Sequence, residues 1–154
     1  MLTCFFIGHH NASESMRPFL DEAVERHIMD YNVTCFTVGR YGNFDRMAAG
    51  AVKAAKKRHP EVTLSLLLPY HPYDQPIDVP DGFDHTFYPP GMETVPKRVA
   101  ILRVNQYMIQ HCDYLIVYDL EYGNTGNIME AARRRARKGL IHIENLAQQM
   151  PEYR

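Results

Sequence analysis

The sequence predicts an α/β fold: a single Rossmann-like domain with a mainly parallel sheet flanked by helices on both faces. Short apolar runs alternate with segments of helical periodicity, which is typical of a parallel sheet covered on both sides. Two of these runs end directly in glycine, at Gly8 and Gly39. The 154 residues, of which 45% are hydrophobic, suffice for one core, so we assign residues 1–154 to one domain.

Five strands are predicted from apolar runs that polar, glycine or proline residues interrupt. In chain order they are Thr3–Ile7, Thr34–Val38, Thr63–Leu68, Tyr114–Tyr118 and Leu140–Ile143. Helical segments separate most of them. Strands joined through helices are expected to be parallel, because the helix carries the chain back to the edge of the sheet at which the preceding strand began.

Helices are predicted where apolar residues recur every three or four positions. The first helix follows a cap at Asn11 or Ser13, and its apolar positions are Phe19, Leu20, Ala23, Val24 and Ile28. The second runs from about Asp45 to Arg58. The third runs from about Pro96 to His111, with Val99, Leu102, Met108 and Ile109 expected in the core. A last helix passes through Glu130 and ends before Gly139.

Residues 70–96 interrupt this alternation. Proline, glycine and aromatic residues dominate the segment, and no clear periodicity runs through it. A long loop of this kind is usually functional or disordered, and its aromatic residues favour packing against something. We expect an irregular loop here and consider it a candidate substrate lid.

Composition gives no support to several classes of protein. The formal net charge of -1 gives no basic field, so we do not expect nucleic acid as a partner. No apolar run approaches membrane-spanning length, and the first residues fit a strand better than a signal peptide. Three widely spaced cysteines suggest neither a disulfide framework nor a zinc site. We expect a cytoplasmic protein that has no membrane partner, metal or cofactor.

Polar and glycine-rich segments follow three predicted strands, and such loops meet at the carboxyl edge of a parallel sheet. They are Gly8–Ser13, Gly39–Asp45 and Gly123–Asn127. The last joins a strand to a helix, so its backbone N–H groups would converge at the positive end of the helix dipole. The sequence therefore predicts a nucleotide site, with the phosphate on Gly123, Asn124, Thr125, Gly126 and Asn127.

Two interpretations of this last loop remain open. The glycines would simply permit a tight turn, and an asparagine or threonine would cap the helix. Glu130, expected in the first turn, would either complement the helix dipole or act on a sugar by orienting a ribose hydroxyl or a water molecule.

Three segments together resemble the SLOG superfamily across roughly residues 3 to 143. They are Gly39-Arg40-Tyr41-Gly42-Asn43-Phe44-Asp45, Arg103-Val104-Asn105 leading to Cys112–Val117, and Gly123-x-x-Gly126-x-x-x-Glu130. This Rossmann-like group includes the Lonely Guy phosphoribohydrolases, the nucleotide-like binding domain of DNA-processing protein A, and bacterial sensor domains. The resemblance implies recognition of a nucleotide more firmly than it implies hydrolysis.

Two positions depart from the Lonely Guy pattern. Those enzymes have Pro-Gly-Gly-x-Gly-Thr-x-x-Glu in the last loop, where this chain retains the glutamate but has Asn124 and Asn127 at the second glycine and the threonine. The position of their helical arginine is Val104 here, and Arg103 is its neighbour. One position on a helix is a rotation of about 100°.

The resemblance implies binding of a nucleoside phosphate or an ADP-ribose-like nucleotide, with hydrolysis of its N-glycosidic bond as the most plausible reaction. Glu130 and Arg103 would be catalytic. The ligand-binding residues would be Gly8, His9, Gly39, Gly42, Asp45, Arg98, Asn105 and the loop Gly123–Asn127, with Tyr88 or Tyr41 stacking on a base. The alternative is a non-catalytic sensor or sequestering module. A metal site built from His9, His10, His71 and His85 is a weaker alternative. The resemblance also implies a homo-oligomer, dimeric or larger.

Overall fold

The protein contains one six-stranded sheet in which every neighbouring pair of strands is parallel. The structure is a computed structural model that describes residues 1–73, 75, 77–119 and 126–150. The strands are β1 (Leu2–Gly8), β2 (Val33–Val38), β3 (Thr63–Leu67), β4 (His85–Phe87), β5 (Tyr114–Tyr118) and β6 (His142–Asn145). Their spatial order is β4-β3-β2-β1-β5-β6. The chain adds β2, β3 and β4 on one side of β1 and then adds β5 and β6 on its other side, so the order of addition reverses between β1 and β5.

Helices cover both faces of the sheet. They are α1 (Arg17–Tyr31), α2 (Asn43–Lys56), α3 (Ala100–His111) and α4 (Gly126–Arg137). Successive side chains of a strand point to opposite faces, so Phe6 packs with α1 and α2 while Phe5 packs with α3 and α4. The predicted α/β, Rossmann-like fold is therefore confirmed. None of the described helices is long and apolar enough to cross a bilayer.

The chain departs from the sequence-based predictions at several boundaries. Ser13 caps a short 3-10 turn, and α1 begins only at Arg17. The predicted loop at residues 70–96 contains the short edge strand β4. In α3, Leu102 was expected in the core but is 45% exposed. The last strand begins two residues later than predicted, because Gly139 adopts φ 72° and Leu140 is exposed in the turn after α4.

The end of β1 lies unusually close to the start of α2. A Cβ atom on Gly8 would overlap the buried ring of Phe44. Gly42, with φ 118°, would likewise collide with the backbone of His10 if it carried a side chain. Hydrogen bonds hold the same junction, since the Asn43 N–H donates to the His10 carbonyl at 2.6 Å. The two loops that follow β1 and β2 are therefore fixed against each other.

We predict that Gly8→Ala destabilises the protein by about 1–3 kcal/mol, because the added methyl group overlaps the buried Phe44 ring, which then has to move within the core. The free energy of unfolding, measured by urea denaturation, tests this expectation.

Gly50→Ala is the matched control. Its Cβ would meet only the guanidinium end of Arg17, which can swing aside, and alanine favours a helix interior. We expect no loss of stability, or a gain of up to about 1 kcal/mol. Equal stability of Gly8→Ala and wild type would contradict the described junction.

Candidate functional site

Four of the predicted site residues line one small cavity at the carboxyl edge of the sheet. They are Gly8 at the end of β1, Gly39 after β2, Asp45 in the first turn of α2, and Asn105 in α3. We call this space the edge cavity; Tyr41 and Pro69 also line it, and its volume is about 90 Å³. Residues far apart in sequence meet here because the three strand ends and α3 converge at this edge.

The Asp45 carboxylate is the most unusual group in the edge cavity. It is partly buried, and burial raises its pKa to about 6, although the hydrogen bond from the Tyr41 N–H opposes this shift. That hydrogen bond is 3.2 Å long. A Cβ atom on Gly39 would lie 2.8 Å from the Asp45 Oδ2, so a glycine leaves room for the carboxylate. A carboxylate desolvated in a cleft is a candidate functional group.

Helix α3 presents a defined face to the edge cavity. Ile101, Val104 and Asn105 line the cavity, whereas Arg103 is exposed and does not. Arg98, which precedes α3, is also exposed and lines none of the described cavities. The helical rotation between neighbouring positions therefore separates Arg103 from the four residues that meet here.

Basic side chains that the sequence analysis did not select lie beside Asp45. Arg40, Arg46 and Lys53 line an open depression of about 390 Å³ that shares Gly39 and Asp45 with the edge cavity; Gly42 lines it as well. Arg46 is paired with Glu14, and Lys53 lies over the Phe83 ring at 4.7 Å from its centroid. Arg40 is exposed and directly follows Gly39. The sequence feature that could have identified Arg40 is its position directly after a glycine that ends a predicted strand.

The predicted phosphate loop is only partly described. Gly123, Asn124 and Thr125 lie outside the described residues. Gly126 is the first residue of α4, and Asn127 is exposed. Glu130 was expected in the first turn, but it is the fifth residue of α4 and therefore lies in the second turn.

The Glu130 carboxylate is exposed and lies near two arginines. Its oxygens are 3.8 Å from Arg133 and 3.6 Å from Arg137. Arg133 also contacts the carboxylate of Asp119 at 2.9 Å. Arg133 therefore lies between the carboxylates of Glu130 and Asp119, the residue that follows β5.

Asp119 is a buried acidic residue that the sequence analysis missed. It directly follows β5 and is 1% exposed. The side chain of Asn145 bridges its backbone, accepting from the Asp119 N–H at 3.2 Å and donating to its carbonyl at 2.9 Å. These contacts fix the point at which the chain leaves β5, next to the reversal in strand order. A polar residue after an apolar strand was the available signal, but it is also typical of an ordinary turn.

His9 lies at the same reversal. Its ring packs edge-on against Tyr118, with 5.6 Å between centroids, and its buried Nε2 atom has no hydrogen-bond partner among the residues that the structure describes. His9 does not line the edge cavity. Within the described parts of the chain, no three His, Cys, Asp or Glu side chains gather as a ligand set for a metal, so the geometry gives the histidine-metal alternative no support.

The fold and the edge cavity define an α/β protein of the Rossmann-like class. Among solved structures, the chain is similar to the X-ray structure of DNA processing protein A from Streptococcus pneumoniae, with a TM-score of 0.52 and 12% sequence identity. The similarity covers 94% of this chain and 59% of that chain, so it spans about three fifths of the other protein. Identity this low shows a common fold and leaves the ligand open. The sequence matches no protein-family model and no curated protein.

We predict that Asp45→Asn stabilises the protein at neutral pH. The pKa of Asp45 in the folded protein, about 6, lies above the ordinary value of 3.8. Protonated Asp45 therefore contributes stability below about pH 4, and this contribution is lost as the pH rises through 6. The asparagine keeps an acceptor for the Tyr41 N–H without the charge. At pH 8 we expect a gain of about 1–2 kcal/mol, which disappears near pH 4.

Urea unfolding of both proteins between pH 4 and pH 8 measures this difference. A variant that is equally or less stable than wild type at pH 8 would show that the Asp45 carboxylate is well solvated, and would contradict the described cavity.

Proposed function

We propose that this chain is a SLOG-type domain that binds a nucleoside phosphate or an ADP-ribose-like nucleotide at the carboxyl edge of its sheet. The observation that carries the proposal is the Asp45 carboxylate in the edge cavity. It is desolvated at a cost to stability, and the hydrogen bond that the structure gives it comes from one backbone N–H group. A carboxylate held in this way has acceptor capacity left for hydroxyl donors of a ligand.

Ribose is the part of a nucleotide that suits the edge cavity. Its vicinal hydroxyl groups would donate to Asp45, and the Asn105 amide supplies both a donor and an acceptor in the same space. A cavity of about 90 Å³ takes one sugar ring but not a whole nucleotide, since sites for larger ligands usually have roughly 300–1,000 Å³. The base and the phosphate would therefore occupy neighbouring surfaces.

The depression beside Asp45 suits an anionic group. Arg40, Arg46 and Lys53 make it the basic side of the cavity. Helix α2 begins next to it at Asn43, and the N-cap residue Gly42 has no side chain that could cap the first turn. Cationic side chains beside a helix N-terminus favour a phosphate. Of these groups, Arg40 is the candidate phosphate ligand. Arg46 is paired with Glu14 and Lys53 lies over Phe83, whereas the exposed Arg40 side chain forms a hydrogen bond with Tyr41, which itself lines the edge cavity.

Two lines of support favour the SLOG assignment. The order and spacing of the three sequence segments resemble that superfamily, and the fold is similar to that of DNA processing protein A. Binding without turnover is favoured over hydrolysis, because Val104 rather than an arginine faces the cavity and Glu130 lies near two arginines at the surface. Hydrolysis stays a sequence-based prediction with Glu130 as its test residue.

The experiment is a titration of the purified protein with nucleoside mono- and diphosphates, ADP-ribose, the matching 2′-deoxynucleotides and unphosphorylated nucleosides. Thermal stabilisation and free base are measured in the same samples. We expect ribonucleotides to bind at least about tenfold more tightly than 2′-deoxynucleotides, because without the 2′-hydroxyl the Asp45 carboxylate loses one of its two sugar donors. Asp45→Asn should remove most of this preference.

Three variants serve as matched comparisons. Asp30→Asn changes an exposed carboxylate near the end of α1, at the opposite edge of the sheet, and should bind like wild type. Arg40→Met should weaken nucleotides but not nucleosides, whereas Arg103→Met should weaken neither. The reverse pattern would assign the phosphate role to Arg103 instead of Arg40. Failure of every nucleotide to bind would contradict the proposed function. Release of free base that disappears in Glu130→Gln would establish hydrolysis.

A further inference from the structure

A second cavity lies on the other side of Pro69 from the edge cavity. Its walls come from the loop after β3, from Tyr88 just after β4, and from the segment before α3. Its volume is about 180 Å³, twice that of the edge cavity. Pro69 lines both spaces, so the two cavities are neighbours at the carboxyl edge of the sheet. We call it the aromatic cavity.

The walls of the aromatic cavity suit a flat ring. Tyr70 and Tyr88 are partly buried and pack against the core beneath α3 and α4, which limits their rotation. His71 meets the Tyr88 ring edge-on, with 5.2 Å between centroids and an interplanar angle of 77°. Met92 and Val95 complete an apolar surface. Aromatic side chains held in place stack on bases and lose little conformational freedom when they bind.

The rim of the same cavity carries hydrogen-bonding groups of both kinds. Glu93 supplies an acceptor and Lys97 a donor, and both are exposed. The Nδ1 atom of His71 accepts the Tyr73 N–H at 3.0 Å, so in the neutral ring the proton is on Nε2, which is then a donor. A purine presents ring acceptors beside N–H donors along its edge, whereas a purely apolar ligand would leave these charged groups unused.

We propose that the aromatic cavity binds the purine base of a nucleotide, with Tyr88 and Tyr70 stacking on the ring and with Glu93 and Lys97 contacting its edge. This inference rests on the proposed function, since it places the base of the ligand whose ribose occupies the edge cavity. It also gives a role in binding the base to the residues of the 70–96 segment that line this cavity.

Calorimetric titration of AMP, GMP, CMP, UMP and ribose 5-phosphate tests the proposal. We expect the purine nucleotides to bind about tenfold more tightly than the pyrimidine nucleotides, and ribose 5-phosphate to bind most weakly. Tyr88→Ala should lower purine nucleotide affinity about tenfold or more, to near that of ribose 5-phosphate, without changing the affinity for ribose 5-phosphate itself.

Tyr73→Ala is the matched control. Tyr73 belongs to the same loop, is 87% exposed and lines none of the described cavities, so its loss should change no affinity. Glu93→Gln and Lys97→Met alter only exposed side chains and carry the test if Tyr88→Ala does not fold; each should reduce the preference for a purine.

The outcomes separate the two proposals. Suppose that nucleotide binding depends on Asp45 but is unchanged in Tyr88→Ala, or is unchanged in both Glu93→Gln and Lys97→Met. Either result would overturn the base site and leave the proposed function standing. Equal affinity for purine nucleotides and ribose 5-phosphate would do the same. Absence of binding by every nucleotide and by ribose 5-phosphate would overturn the proposed function and the base site with it.

Discussion

The candidate site depends on the close approach of the end of β1 to the start of α2. Because Gly8 and Gly42 lack a Cβ atom, they leave room for Phe44 and His10. A larger residue would have to move the buried Phe44 ring or the backbone of His10. This junction brings the loops after β1 and β2 together at the carboxyl edge. Asp45 lies one residue beyond Phe44, so packing of that ring into the core also fixes where the carboxylate lies. The core and the edge cavity are thus parts of one packing arrangement.

Under the proposed function, Asp45 would lower the stability of the free protein and strengthen the binding of a ligand. An ionised Asp45 is poorly solvated, as its raised pKa indicates, and the backbone N–H of Tyr41 compensates only in part. Hydroxyl donors from a bound sugar would supply the missing hydrogen bonds. The same group that weakens the free protein would then strengthen the complex. Such groups are characteristic of functional sites, whereas a side chain selected for stability alone would be neutral or apolar at this position.

The sequence predicted most of the sheet, because strands covered on both faces are nearly continuous apolar runs such as the one that contains Phe5 and Phe6. It did not predict β4, a three-residue edge strand whose side chains are exposed or half-buried. Gly8 and Gly39, which the sequence analysis selected because they follow predicted strands, both line the edge cavity. It was harder to predict from the sequence which side of α3 faces the cavity. Arg103 and Asn105 are two positions apart, and of the two only Asn105 lines the cavity. Asp119 was missed because pairing with Arg133 is a tertiary contact.

The pKa of the Asp45 carboxyl group, measured by NMR in the free protein and with a saturating ribonucleotide, tests the central claim most directly. We expect a value near 6 in the free protein, since burial disfavours the charged form. Ribose hydroxyls that donate to the carboxylate should lower the pKa on binding, because they stabilise the charged form. A pKa near 4 that the ligand leaves unchanged would contradict both the buried carboxylate and its role in binding.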